Sequence, residues 1–179
     1  MTMHAFVDES KRKGVYLVCA VLIDPKELSH ARGKLRSMRL PKQRRLHFSK
    51  ESSQRRIFLL EEVSTLPIQA LIYSSTMKEP YSRQEIMAAL LNDLSAVGCK
   101  RLIIERREAG QDARESAQIA AAIRSGKVPA KMIYDHLRGH EEPLLWVADA
   151  VAWAYGAGGE WRRRSMKLIE RARSVDSCR

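Results

Sequence analysis

The sequence predicts an α/β protein built on one mixed sheet, and three observations carry that expectation. First, two apolar, β-branched stretches, Met3 to Glu9 and Val15 to Ile23, flank a short polar one, Lys11 to Gly14, and read as a hairpin. Second, Pro67 to Ser75 sets Ile68, Ala70 and Ile72 against Gln69, Leu71 and Tyr73, the two-residue period of a third strand. Third, helical stretches then alternate with short apolar runs, the pattern of strands joined through covering helices. A chain of 179 residues, 45% hydrophobic and 30% charged, is long enough for one sizeable core, and one domain is expected.

The elements follow in order. Gly14 supplies the conformational freedom a tight turn needs, and Asp24-Pro25 ends the second strand. From Lys26 to Met38, Leu28, Ala31 and Leu35 recur at helical spacing. A loop from Leu40 to Lys50 carries Leu46-His47-Phe48 between clusters of charge, and Ser52 or Ser53 caps a helix over Gln54 to Ser64. Ser82, with Glu85 three residues on, forms a capping box for a helix over Arg83 to Val97, stopped by Gly98. Lys100 to Glu105, with Leu102, Ile103 and Ile104 consecutive, reads as a strand buried on both faces. Gln111 to Arg124 is a helix ended by Gly126, and Val128 to Leu137 a fifth strand. Pro143 opens a strongly apolar helix, Leu144 to Ala157, closed by Gly158-Gly159. Glu160 to Arg173 reads as a basic helix or arm. Three antiparallel strands followed by alternating strands and helices, with a helical insertion after the second strand at about 26–64, is the element order of a ribonuclease H-like fold. The domain expected on this order is 1–159, with 160–179 as the basic C-terminal helix or arm.

The formal net charge of +11 attracts polyanions, and nucleic acid is the commonest in a cytoplasm. The charge is also unevenly placed: eleven Lys or Arg against two acids between Lys26 and Arg56, and seven against three from Glu160 to Arg179. Single-sign blocks of this kind suggest two basic surfaces. Cys19, Cys99 and Cys178 are far apart and odd in number, as expected of reduced thiols in a cytoplasmic protein. No apolar run approaches the ~20 residues of a membrane span, and the first ten residues lack the apolar core of a signal peptide.

Three carboxylates hold unusual positions: Asp8 where the first strand ends, Glu105 directly after an apolar triplet, and Asp149 in the middle of the last apolar helix. Alternation puts Asp8 on the face of Phe6 and Glu9 on the face of Val7. Asp149 shares a helix face with Trp146 and Trp153 at minus three and plus four. Carboxylates drawn to one point repel by about 4 kcal/mol per pair at 4 Å and an effective dielectric of 20, so a positive partner is required. Hard cations, Mg²⁺ or Mn²⁺, take such oxygen ligands, and paired ions of this class cleave phosphodiesters. The competing reading is structural pairing with the abundant arginines. His47 is a candidate proton donor or phosphate ligand, because its residue type exchanges protons near neutral pH. His136 and His140 have a zinc-like spacing that Gly139 and a strand-to-loop context spoil.

Phe6-Val7-Asp8-Glu9-Ser10, Leu46-His47-Phe48 and Leu145-Trp146-Val147-Ala148-Asp149-Ala150-Val151-Ala152 together resemble a widespread bacterial family of unknown function placed in the ribonuclease H-like superfamily. Members of that family usually carry glycine after the acid-acid-serine triplet, where this chain has Lys11. The resemblance implies a metal-dependent, nuclease-like site with Asp8, Glu105 and Asp149 at the acidic positions, and Glu108 as a neighbour of Glu105. The resulting expectation is a Mg²⁺- or Mn²⁺-dependent nuclease with Asp8, Glu105, Asp149 and His47 as catalytic residues. Arg44, Arg45, Lys50, Arg162, Arg163 and Arg164 are the expected phosphate contacts, which position a polymer without reading its sequence. The alternative is a nucleic-acid- or partner-binding module on the same fold without the chemistry.

Overall fold

In the computed structural model, which describes residues 2–176, six strands form one sheet. The chain runs through β1 (Met3–Arg12), β2 (Val15–Ile23), α1 (Leu28–Ser37), α2 (Ser53–Val63), β3 (Ile68–Ser75), α3 (Tyr81–Ala96), β4 (Cys99–Glu105), α4 (Ala109–Arg124), β5 (Ile133–Leu137), α5 (Pro143–Ala157), α6 (Gly159–Ser165) and β6 (Ile169–Ser174). The strand order is β5-β4-β1-β2-β3-β6. β1, β2 and β3 pair antiparallel, whereas β4 joins β1, β5 joins β4 and β6 joins β3 in parallel. The mixed sheet read from the sequence is therefore present, with α1 and α2 inserted after the second strand. Cys178 lies outside the described residues. No helix among the described residues is long and apolar enough to cross a membrane.

Alternation along the strands splits the core into two layers. Phe6, Cys19, Val21 and Ile103 face one side, where α1, α2 and α5 cover them; Val7, Val18, Leu71 and Ile104 face the other, under α3 and α4. The helix α5 is apolar around most of its circumference because sheet, α1 and loops enclose it, as expected of a core helix. Asp149 is thus carried into the layer that contains Phe6 and Ile103.

Four local expectations change. β1 runs on to Arg12, so Lys11 is a strand residue and the turn shrinks to Lys13 (φ 50) and Gly14 (φ 78). Two left-handed residues match the twist of the flanking strands, which outweighs the polar character of Lys11 and Arg12. Ser82 is not a cap: α3 starts at Tyr81, and the Ser82 hydroxyl is buried without a hydrogen-bond partner in the described structure. The fifth strand is confined to Ile133–Leu137, because Val128 dives into the core and a turn from Pro129 to Met132 precedes the strand. The segment after Glu160 is α-helical only through Ser165, passes through a 3-10 turn over Met166–Leu168 and then becomes β6, whose pairing with β3 satisfies its backbone.

One buried cluster ties β6 to the layer beneath it. The Asp93 carboxylate accepts from the Tyr73 hydroxyl at 2.6 Å and sits 2.8 Å from Arg171 and 2.9 Å from Arg173. The arginines are a third to half exposed and contribute little, so the main cost of Asp93→Ala is the stranded Tyr73 hydroxyl. Thermal unfolding should show a loss of about 2 kcal/mol, or roughly 4–8 °C. Arg171→Ala should cost less than a third of that, and an equal cost would show that the ion pair is what fastens β6.

Candidate metal centre

Strand register builds the first half of the site. Val7 of β1 is level with Ile104 of β4, so the next residues, Asp8 and Glu105, stand side by side on adjacent parallel strands. Both leave the sheet on the face of Phe6 and Ile103, where α5 packs. Their carboxyl groups are in hydrogen-bond contact, and the charge of Asp149 from α5 bears on Asp8. Of the three acids predicted from widely separated stretches, Asp8 and Glu105 are thus in contact and Asp149 lies near them, although the ligand atoms of the three do not all close to within 4.8 Å of one another. Asp8 is only 8% exposed.

Their protonation is unequal. Burial raises the Asp8 carboxyl well above the usual carboxylate range, and the hydrogen bond to Glu105 and the charges of Glu105 and Asp149 add to that. Burial acts on Glu105 in the same direction, but the Asp8 hydrogen bond and the Arg45 guanidinium outweigh it and hold Glu105 low. Asp8 is thus the carboxyl pushed toward its neutral form, and Glu105 the one held toward its carboxylate. Burial also raises Asp149, against the pull of the Phe48 amide, His47 and Arg45.

The residues around the acids explain the two tryptophans. Trp146 is buried and donates its indole N–H to the Gly139 carbonyl, bracing the loop beside Glu105. Trp153 packs edge-on against Phe48 at 5.4 Å. Leu46 and Phe48 anchor their loop in the core and leave His47 outside, 41% exposed in its side chain. Phe48 N–H donates to Asp149 Oδ2 at 3.1 Å, and His47 Nδ1 lies 4.0 Å from the same oxygen. Arg45 Nη1 donates to Glu105 Oε1 at 2.6 Å. A Cβ on Gly139 would come within 1.9 Å of Arg45 Nη1 and 2.5 Å of Glu105 Oε1, so the absence of a side chain there is what admits the guanidinium. Sequence reasoning missed this role of Gly139.

Beside the acids opens a cleft of about 420 Å³ lined by Arg44, Arg45, His47, Lys50 and His140, with Gln43 and Glu51, the latter held by Arg55 and Gln43, on its wall. Of the arginines expected to meet phosphate, Arg45 is already engaged with Glu105, and Arg163 and Arg164 pair with Glu160. Arg44, Lys50 and Arg162 have no acidic partner among the described residues. All-oxygen donors, two of them raised by burial and one already answered by a cation, suit a hard divalent ion.

The opposite face of the sheet holds a second charged cluster. Asp112, Glu115 and His136 offer ligand atoms that all lie within 4.8 Å of one another. Here the positive charge is built in: His136 Nε2 is 2.9 Å from Glu115 Oε2, Arg83 pairs with Glu115, and the Arg107 amide donates to Asp112 at 3.0 Å. Glu9, on this face as alternation requires, pairs with Arg83 and Arg107 and accepts from the Tyr16 hydroxyl. His136 and His140 consequently serve different places, one buried against Glu115 and the other exposed at the cleft. A groove of about 700 Å³ between α3 and α4 reaches Glu115 from outside but lies across the sheet from Asp8.

A comparison with protein-family models finds no match, and neither does a comparison with curated proteins. Among solved structures, the chain is similar to one in the complex of PCNA with ribonuclease HII from Archaeoglobus fulgidus. The identity is 16%, the TM-score 0.53, and the match covers 86% of this chain and 70% of that one. At this identity the likeness speaks for architecture alone: the chain has a ribonuclease H-like fold.

Proposed function

We propose that the protein is a divalent-metal-dependent nuclease that hydrolyses phosphodiester bonds of RNA or DNA. The observation that carries this reading is the side-by-side placement of Asp8 and Glu105 at the ends of two adjacent parallel strands, with Asp149 of α5 near enough for its charge to bear on Asp8, next to a cleft rich in cationic side chains. Asp8, Glu105 and Asp149 would hold Mg²⁺ or Mn²⁺, which supplies charge neutralisation and an activated water for attack on phosphorus. The chain's own groups do the rest. Asp8 and Glu105 would offer the cation carboxyl oxygens from adjacent strands, Arg45 favours the carboxylate form of Glu105, and the Phe48 amide fixes the orientation of Asp149. His47, beside Asp149 and open to the cleft, is placed to carry a proton to the leaving oxygen. Arg44 and Lys50 on the cleft wall are suited to hold the flanking phosphates, with Arg162, Arg163 and Arg164 farther along α6.

Purified protein with Mn²⁺ or Mg²⁺ should cleave end-labelled single strands, duplexes or hybrids, and failure on all of these with both ions would remove the reading. Mn²⁺ at about 100 times its dissociation constant should stabilise the folded chain by about 2.7 kcal/mol. The corresponding rise of roughly 5–10 °C should be absent in Asp149→Asn. A specific feature favours a second reading, a non-catalytic nucleic-acid- or protein-binding module: Arg45 already supplies Glu105 with positive charge. That reading requires the wild-type protein to show no Mn²⁺ shift.

A further inference from the structure

We infer that Arg12, Arg56 and Arg162 form a phosphate-binding ridge that guides a polynucleotide strand away from the acid cluster, over the C-terminal half of α5. The inference deepens the nuclease reading and rests on a polynucleotide being the substrate.

The ridge is built from arginines stacked on aromatic rings. Arg12, at the end of β1, lies over Trp153 at 4.8 Å, and Arg56 of α2 lies over the same ring at 4.3 Å. Trp153 in turn packs edge-on against Trp161 at 5.8 Å. Arg162 lies over Tyr155 at 4.2 Å and donates Nε to the Tyr155 carbonyl at 2.9 Å. Arg56 is further fixed by bonds to the carbonyls of Phe48 at 2.9 Å and Ser49 at 2.6 Å. None of the three has an acidic partner among the described residues, in contrast to Arg163, Arg164 and Arg45. The rings and carbonyls orient these guanidinium groups without neutralising them. They can therefore meet an anion with little further loss of side-chain freedom.

The placement selects the anion. Arg12 shares the Asp8 face of β1 four residues on, about 13 Å along the strand at 3.3 Å per residue. Trp153 follows Asp149 by one turn of α5, about 6 Å. Strand phosphates advance about 3.4 Å each along a duplex axis, so the ridge lies roughly two to four phosphates from the acids. A polymer with regularly repeated charge can occupy both at once.

The test uses the full chain and the variants Arg12→Gln, Arg56→Lys and Arg12→Gln/Arg162→Gln. Arg56→Lys keeps the charge where the neutral change would disturb the Phe48 loop. Binding of fluorescent single-stranded and duplex oligonucleotides is followed by anisotropy without metal over a salt series. The double variant should bind at least about tenfold more weakly at low salt. Its salt slope on single strands should fall by about 1.4, or about 0.7 for each lost phosphate contact. Affinity and slope unchanged from wild type in a variant with wild-type circular dichroism would overturn the ridge. So would phosphatidylserine vesicle binding that depends on Arg12 while oligonucleotide binding does not. Failure of the nuclease reading has a different signature: no cleavage by wild type, with oligonucleotide affinity still falling in the ridge variants, which supports the ridge.

Discussion

Asp8→Asn is expected to reduce Mn²⁺-dependent cleavage by about a thousandfold or more, equivalent to about 4 kcal/mol of barrier, while changing oligonucleotide affinity by less than about twofold. Asp8 stands beside Glu105 in the proposed ligand set, and asparagine has no charge to offer a cation. Binding should survive because the cationic groups that would meet phosphate, Arg44, Lys50 and the aromatic-stacked arginines, do not touch Asp8. The same substitution should raise the melting temperature without metal. It removes a buried group whose charged form burial, Glu105 and Asp149 all disfavour, and a gain of about 1 kcal/mol corresponds to roughly 2–4 °C.

The pH dependence of that gain separates repulsion from packing. The Asp8 carboxyl holds its proton more tightly in the folded chain than in the unfolded one. Its contribution is therefore fully present below the unfolded value and is lost as pH rises through the raised folded value. The advantage of Asp8→Asn over wild type should be largest at neutral pH and shrink on acidification toward the ordinary carboxylate range. An advantage that is flat with pH would attribute the effect to shape alone, and cleavage at the wild-type rate would remove Asp8 from the chemistry.

What the sequence made legible follows from periodicity. Alternation alone separated Asp8 from Glu9, and the structure puts them on opposite faces with different partners. Helical spacing placed Asp149 on the face of Trp146 and Trp153, and those rings brace the loops on either side of it. Interactions between distant elements were not legible. Nothing local joins Arg45 to Glu105 or His136 to Glu115; a loop meeting the end of β4 makes the first pair, and β5 packed against α4 the second. The basic tail misled for a related reason: Arg171 and Arg173 look like a solvated run, yet β6 aligns them with a buried carboxylate on α3. Ser82 and Glu85 have the spacing of a cap, but α3 begins one residue earlier, which puts the serine inside the helix. Local propensity yielded there to the packing of the whole helix.

Arg45→Ala should lower the Mn²⁺ concentration needed for half-maximal thermal stabilisation by about tenfold, or about 1.4 kcal/mol. The guanidinium occupies one oxygen of Glu105 at 2.6 Å, and a charge-assisted bond of this kind contributes roughly 1.5–3 kcal/mol net, with the lower end appropriate to a partly exposed pair. A cation that ligates Glu105 has to displace that bond. Without metal the variant should lose stability at neutral pH. The lowered Glu105 carboxyl contributes stability above its unfolded value, and that contribution is lost as pH falls through the folded value or when its partner is removed. Gly139→Ala separates competition from ligand placement, because the new methyl would intrude on the Arg45 guanidinium and on Glu105 Oε1 alike and both side chains must shift. Arg45→Ala should then bind Mn²⁺ more tightly than wild type, whereas Gly139→Ala should not, and both should be less stable without metal. If Arg45→Ala instead raises the Mn²⁺ midpoint, the arginine holds Glu105 in position for the ion and does not compete with it. Cleavage should then fall with the substitution, and restoration by Arg45→Lys would identify the missing element as the positive charge.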